Sequence, residues 1–167
     1  MRKELEPDVE TAKKLYPKIV ELIENYTEFA DENGDEDFVE YKKLENRLNE
    51  ITGKDMSQYN LWEYWEEEGL EVLSFKISLP YPKVVNNITK VELIEIVKII
   101  KEDIFEKDEN GDEFVEEFKY HFEDYYHNLL KINCKNYKMD YFFRQKSKDG
   151  KYFEYSVEEI VEKIMSR

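Results

Sequence analysis

The stretch Thr89–Ile100, TKVELIEIVKII, predicts the helix around which much of the chain is built. Thr89 and Glu92 have the spacing of a capping box, in which each side chain satisfies a backbone N–H at the start of a helix. The apolar residues that follow spread around most of the helix circumference instead of forming one stripe. We therefore expect a central helix that is covered on several sides.

Apolar residues recur at three- and four-residue spacings in further segments, which predicts amphipathic helices there. The first contains Pro17, which we expect to kink or restart it. The second follows the Asp37/Glu40 capping pair and stops at Gly53, and the last follows the Ser156–Glu159 capping box. These additional predicted helices cover residues 7–30, 38–51, 61–65, 114–132 and 157–164.

Alternation of apolar and polar residues predicts strands in three places. Leu73–Leu79 alternates most regularly and is followed by two prolines. Tyr137–Phe143 also alternates, and after a turn at Lys148–Gly150 the segment Tyr152–Tyr155 can return beside it. We therefore expect an α+β fold that is predominantly helical, with about five to six helices and a small antiparallel sheet of about three strands.

The chain is acidic and rich in aromatic residues. Its 167 residues include 40 Asp and Glu against 25 Lys and Arg, for a net charge of -15, together with 25 Trp, Tyr and Phe. Disordered acidic chains lack such apolar content, and this length suits one folded domain. We expect a single domain over residues 1–167.

Composition also predicts a source and a compartment. Residue types with AT-rich codons, such as Lys, Asn, Ile and Tyr, are frequent, as in low-GC bacteria and their phages. A single cysteine, Cys134, is consistent with a reducing cytosol. The start of the chain has no apolar signal segment, and no stretch approaches eighteen apolar residues. We expect a cytoplasmic bacterial protein that does not enter a membrane.

The acidic loop DENGDE occurs twice, at Asp31–Glu36 and at Asp108–Glu113. Its first residues have EF-hand spacing, but position six is Glu instead of Gly and position twelve is Lys42 or Lys119 instead of Glu. We expect no metal site, with weak cation binding as an open alternative. The repeat also suggests a duplicated helical hairpin, residues 17–52 and 89–132, with coincidence as the other explanation.

The residue types that carry catalysis do not form a recognisable constellation. His121 and His127 cannot converge on one metal, because successive residues of a helix advance by 100°. His127 falls on the far side from Phe122 and is expected at the surface. The chain has no glycine-rich phosphate loop and no nucleophile motif, and Cys134 is expected to be structural. We expect no enzyme activity, no catalytic residues and no cofactor.

One helix face stands out as a candidate contact surface. Counting 100° per residue along the helix predicted over 114–132 places an aromatic ring among acidic residues and a histidine. The acidic stripe consists of Glu116, Glu117, Tyr120, Asp124 and His127. Carboxylates attract a basic surface, and a tyrosine adds an apolar anchor. An ordinary solvated helix face is the alternative.

Charge and the lack of catalytic motifs together predict a protein that binds a basic protein partner. The concrete hypothesis is an immunity-type or inhibitor protein that covers the basic surface of a toxin or nucleic-acid enzyme. Two alternatives remain: a divalent-cation-responsive module or metal-dependent enzyme that uses the acidic loops, and a structural or regulatory domain. Direct nucleic-acid binding is not expected, because basic runs such as Arg144–Lys151 are short.

Overall fold

The computed structural model describes residues 1–102 and 111–166. The chain divides into two compact units. The middle unit is Asp8–Pro80, and the terminal unit combines Met1–Pro7 with the chain from Tyr81 onward. The described residues are mostly helical, with a small antiparallel sheet, which confirms the predicted α+β class, although they contain more helices than the five to six expected. The single-domain organisation stays a prediction.

The middle unit is entirely helical. Its helices are α1 (Val9–Asn33), α2 (Val39–Thr52), the single turn α3 (Tyr64–Glu67) and α4 (Gly69–Ser78). Helix α1 packs against both α2 and α4. The core of this unit consists of Ile19, Ile23, Tyr26, Leu44, Leu48, Met56, Leu61, Leu73 and Ile77. The three- and four-residue spacings of the sequence therefore identified the buried apolar positions of α1 and α2.

Helix α1 does not restart at Pro17, which lies inside one helical segment of 25 residues. Proline lacks an N–H and leaves the carbonyl four residues earlier without its helical donor. Pro17 is on the exposed side of the helix, where water can hydrate that carbonyl. Asp8 is the N-cap of this helix, and its carboxylate accepts from the Thr11 N–H at 3.1 Å.

Helix α2 ends as predicted but starts differently. Gly53 closes it in the left-handed conformation, with φ 68°. At the other end Asp35, not Asp37, accepts from the N–H groups of Glu40 and Tyr41, at 3.2 and 2.8 Å. Phe38 occupies the position before the helix with φ 54°. The expected Asp37/Glu40 capping pair is therefore wrong.

The prediction of a strand at Leu73–Leu79 is also wrong, because most of this segment lies in helix α4. Leu73, Phe75 and Ile77 are buried, as alternation requires, but the intervening Ser74 and Ser78 are buried too. A helix enclosed on several sides has no solvated face to impose a helical polar pattern. Ser74 and Ser78, with Lys76 between them, therefore alternate with apolar residues and imitate the two-residue period of a strand.

The terminal unit contains α5 (Lys90–Glu102), α6 (Glu113–Phe118), α7 (Phe122–Asn133) and α8 (Val157–Met165). Helix α5 packs against α7 and α8, which supports its predicted central place within this unit. Both predicted capping boxes form. The buried apolar residues here are Leu5, Leu93, Ile96, Val97, Ile100, Phe118, Phe122, Tyr125, Tyr126, Leu129, Leu130, Val157, Ile160, Val161 and Ile164.

The start of α5 is anchored by an ion pair. Glu92 accepts from the Thr89 N–H at 2.8 Å, and its other oxygen accepts from the Arg2 guanidinium. The hydrogen bond from Arg2, followed by that from Thr89, lowers the pKa of Glu92 to about 2. Tyr125 adds a second tie to the N-terminal segment by donating to the Glu6 carbonyl at 3.0 Å.

The sheet is smaller than predicted. Within the described residues it has two strands, β1 (Gln145–Lys146) and β2 (Tyr152–Phe153), joined through the expected turn. They pair antiparallel, with Lys146 opposite Tyr152. The predicted strand at Tyr137–Phe143 is wrong, since Met139–Phe142 forms a 3₁₀ turn. Phe142 instead packs edge-on against His127 of α7, and Tyr141 packs edge-on against Tyr155.

The helix predicted over residues 114–132 is interrupted. A 3₁₀ turn at Lys119–His121 separates α6 from α7. Three residues at three per turn advance about 60° further than three residues of α-helix. The angular count used for the acidic stripe therefore fails beyond His121.

The internal duplication stays a prediction. In the first half α1 packs against α2, and in the second α5 packs against α7. The first half of the second acidic loop, residues 108–110, lies outside the described residues. Its Asp112 is described, and this residue caps α6 by accepting from the Phe114 and Val115 N–H groups at 3.1 and 3.3 Å.

Candidate functional site

Three residues of the acidic stripe are exposed, namely Glu117, Tyr120 and Asp124, and the tyrosine has 59% of its surface accessible. Glu116 is partly covered and forms an ion pair with Lys119 at 2.7 Å. The Lys119 ammonium also lies 5.4 Å from the centre of the Tyr120 ring. The stripe thus keeps an exposed aromatic ring next to carboxylates.

His127 is not part of this surface, and its expected exposure is wrong. It is buried, with 7% of its surface accessible. Nδ1 lies 2.7 Å from the Tyr137 hydroxyl and Nε2 lies 3.2 Å from a Glu123 oxygen, while the Phe142 ring packs edge-on at 4.9 Å. His127 still lies on the far side of α7 from Phe122, but Tyr137 and Phe142 of the segment after α7 cover that side.

A cluster of four aromatic rings in the middle unit was not anticipated. Tyr26, Phe38, Tyr41 and Trp62 form it, with ring centres 5.7 to 6.1 Å apart in the four neighbouring pairs. Tyr26 is buried and Trp62 is partly covered, but Phe38 has 55% of its surface accessible. Its neighbour Val39 is 54% accessible. The cluster therefore runs from the core to the surface.

The backbone at Phe38 is unusual. Its φ of 54° places a bulky residue in the left-handed region, which glycine or asparagine normally occupies. Two interactions of the preceding loop fix this conformation. The Phe38 N–H donates to the Asp35 carbonyl at 2.9 Å, and the Asp35 carboxylate holds the first turn of α2. The loop therefore presents the phenyl ring outward at a local conformational cost.

Asp35 also links the loop to the aromatic cluster. Burial raises its pKa, but hydrogen bonds from the Tyr41 and Glu40 N–H groups outweigh this and lower the pKa below its ordinary value. The Tyr26 hydroxyl lies 3.5 Å from the same carboxylate. Burial and this nearby negative charge together raise the pKa of Tyr26. Asp35 is therefore held ionised while Tyr26 is held neutral.

Negative charge is concentrated in the unit that contains this cluster. The middle unit has 19 acidic and eight basic residues, a net charge of -11, whereas the terminal unit has 21 and 17, a net charge of -4. We define the Phe38 surface as the exposed apolar pair, Trp62 and the exposed carboxylates within two residues of them in sequence. Its members are Phe38, Val39, Trp62, Glu36, Asp37 and Glu63.

Sequence patterns could not identify the Phe38 surface. Phe38 has the correct spacing to begin the buried face of α2, so periodicity assigns it to the core. Its exposure follows from the left-handed backbone, which turns the side chain away from that face. The signal available beforehand was the loop itself, since its Asn-Gly and acidic residues are typical of a turn.

The first acidic loop does not have the geometry of a calcium site. Asp31 and Asn33 belong to the last turn of α1, and the Asn33 amide donates to the Phe29 carbonyl at 3.0 Å. Asp35 is engaged by backbone N–H groups of α2. In the described residues no group of three His, Cys, Asp or Glu is placed to hold a metal ion. Cys134 is half-buried, and burial raises the pKa of its thiol.

Comparison with known proteins adds no functional assignment. No family model matches the chain, and no curated protein or solved structure shows significant similarity to it. None of the helices in the described part of the chain is both long and apolar enough to cross a membrane. The Phe38 surface and the exposed part of the acidic stripe both combine an exposed aromatic ring with carboxylates.

Proposed function

We propose that this protein binds a basic protein partner and that the Phe38 surface is the main contact. The observation that carries the proposal is an exposed phenyl ring, held in a strained conformation, within a unit of net charge -11. Strain of this kind persists where the surrounding structure enforces it, and it is concentrated at functional sites. Carboxylates steer a basic partner towards the surface, and a central aromatic side chain supplies the anchor.

The ring cluster also suits the side chains that a basic partner offers. Arginine and lysine bind over aromatic faces as well as to carboxylates. The ring centres of Phe38 and Trp62 are 5.9 Å apart, and Glu63 directly follows Trp62 in the chain. A guanidinium that reaches this pair meets apolar faces and negative charge together. Tyr120, Glu117 and Asp124 form the second proposed contact, where Lys119 already occupies the equivalent cationic position.

The concrete form of the proposal is an immunity-type or inhibitor protein of the bacterial cytoplasm. Its basic partner is a toxin or a nucleic-acid enzyme, whose cationic active surface it covers. A large acidic excess is suited to compete with nucleic-acid phosphates for such a surface. A toxin gene adjacent to the gene for this protein would support this version.

The decisive experiment is affinity capture from the native host, followed by binding kinetics on the captured protein. We expect Phe38→Gly to weaken binding by about 2 kcal/mol, mainly through faster release, because the anchor is lost. The free energy of unfolding should stay unchanged or rise, since glycine accepts the left-handed backbone. Val84→Ala removes another exposed apolar side chain and should have no effect on binding.

Charge reversal tests whether the carboxylates steer a basic partner towards the Phe38 surface. Asp37→Lys with Glu63→Lys should slow association and reduce its dependence on salt. Glu4→Lys with Glu162→Lys gives the same change in net charge outside the Phe38 surface and should have a smaller effect. Tyr120→Ala tests the second contact. A captured partner with an acidic contact surface, or binding that ignores both salt and the Asp37/Glu63 reversal, would contradict the proposal.

A further inference from the structure

The β-hairpin of the terminal unit places two cations over one exposed tyrosine ring. The Arg144 guanidinium carbon lies 4.7 Å from the centre of the Tyr152 ring, and the Lys146 ammonium lies 5.7 Å from the same centre. Lys146 is the strand partner of Tyr152, and Arg144 is two residues earlier in the chain. We define the Tyr152 face as these three residues.

This face is positively charged in an acidic protein. Residues 135–151 contain six Lys and Arg against two Asp, although the whole chain carries -15. Lys151 pairs with Asp149 in the turn at 3.6 Å. Arg144 and Lys146 form no ion pair with any carboxylate of the described residues, and both side chains are exposed. Their cationic groups are therefore accessible to an anionic ligand.

The hairpin also exposes aromatic rings. Tyr152 has 58% of its surface accessible, Phe143 has 57% and Phe153 has 40%. Core packing covers none of these rings fully, although aromatic side chains usually dominate cores. Two neighbouring cations that lie over an exposed ring in the free protein can turn to phosphates and leave a ring face on which a base stacks. The basic run of this segment is short in sequence, but the hairpin brings its members to one face.

We propose that the Tyr152 face binds single-stranded nucleic acid. Arg144 and Lys146 contact backbone phosphates, and Tyr152 stacks on an unpaired base. A duplex is a poorer ligand, because its bases are already stacked and their faces are not available to a ring. An acidic peptide satisfies the cations but gives the tyrosine no planar partner. This inference is independent of the Phe38 surface, which lies in the other unit.

The test is fluorescence anisotropy with a labelled 15-nucleotide oligo-dT and the full chain at low salt. We expect Tyr152→Ala to raise Kd by about fivefold or more, since loss of stacking on one base has an effect of that order. Tyr152→Phe keeps the ring and should bind like the unaltered protein. Because Tyr152 is exposed, both variants should fold, which far-UV circular dichroism checks.

Salt dependence tests the phosphate contacts. Arg144→Gln with Lys146→Gln should reduce the slope of log K against log salt by about 1.4, given about 0.7 per phosphate contact on a single strand. Lys14→Gln with Lys18→Gln changes net charge equally at exposed positions of α1 and should leave the slope unchanged.

Three results would overturn the inference: no binding of oligo-dT at low salt, equal losses in the hairpin and α1 lysine variants, or duplex binding as tight as single-strand binding and unaffected by Tyr152→Ala. Displacement of oligo-dT by poly-glutamate at equal charge concentration would also overturn it and indicate an acidic protein ligand. Phe38→Gly should not alter oligo-dT binding, and Tyr152→Ala should not alter capture of a basic partner, so the two proposals fail separately.

Discussion

At the scale of single residues, Lys54 shows a property that its place in the sequence does not reveal. It lies just after α2 and has only 5% of its surface accessible. Its ammonium donates to the Lys76 carbonyl at 2.7 Å and contacts the Tyr59 hydroxyl at 3.4 Å. Burial lowers its pKa to about 8. The charged form is therefore disfavoured in the folded state relative to the unfolded state.

We predict that the middle unit becomes more stable as pH rises from 7.5 to 9.5. In this range the unfolded chain keeps the Lys54 proton and the folded protein releases it, so the free energy of unfolding increases with pH, by about 2 kcal/mol. Denaturant titrations at both pH values measure it. Lys54→Met should abolish the increase and Lys43→Met, an exposed change, should retain it. If the free energy of unfolding of Lys54→Met rose equally with pH, Lys54 would not be the group responsible.

At the scale of elements, α4 shows how composition can imitate the wrong period. Ser74 and Ser78 are buried, and they differ in hydrogen bonding. The Ser78 hydroxyl donates to the Phe75 carbonyl at 2.8 Å. The Ser74 hydroxyl has no hydrogen-bond partner among the described residues. Burying an unpaired hydroxyl is costly.

Ser74→Ala should raise the free energy of unfolding by about 1 kcal/mol, because it removes the unpaired hydroxyl and improves helix propensity. Ser78→Ala loses a hydrogen bond and should give no gain. Chemical denaturation of the two variants provides the measurement. If the segment were a strand, alanine would be the poorer residue at both sites, and a loss of stability in both variants would favour that alternative.

At the scale of the whole molecule, the main finding is the uneven distribution of charge. The middle unit carries -11 and the terminal unit -4. Trp62 and Trp65, the two tryptophans of the chain, both lie in the middle unit. Tryptophan fluorescence therefore follows that unit, whereas far-UV circular dichroism follows the helices of both.

We expect the two signals to report one coincident unfolding transition in urea, as the single-domain prediction requires. Fluorescence and circular dichroism should give the same midpoint and the same slope. Separate midpoints would show that Asp8–Pro80 unfolds independently of the rest.

Addition of salt should raise the midpoint of urea unfolding, since it screens repulsion among the carboxylates.

Much of the helical architecture was predictable because it depends on neighbouring residues. Helix starts and stops depend on residues within one turn, so sequence spacing is enough to predict them. This holds for the capping boxes at Thr89 and Ser156 and for the glycine that ends α2 at Gly53. The apolar spacings likewise identified the buried faces of α1, α2, α5 and α8. The excess of negative charge was also evident from composition alone.

Tertiary structure decided what surrounds each element. The serines of α4 are buried because other helices enclose them, and His127 is buried because Tyr137 and Phe142 of the segment after α7 cover it. Phe38 is exposed because its backbone is left-handed, and Tyr152 meets two cations because a hairpin pairs its strands. Local patterns report which residues share a face of one element. They do not report which faces other elements cover, because that depends on contacts between residues distant in sequence.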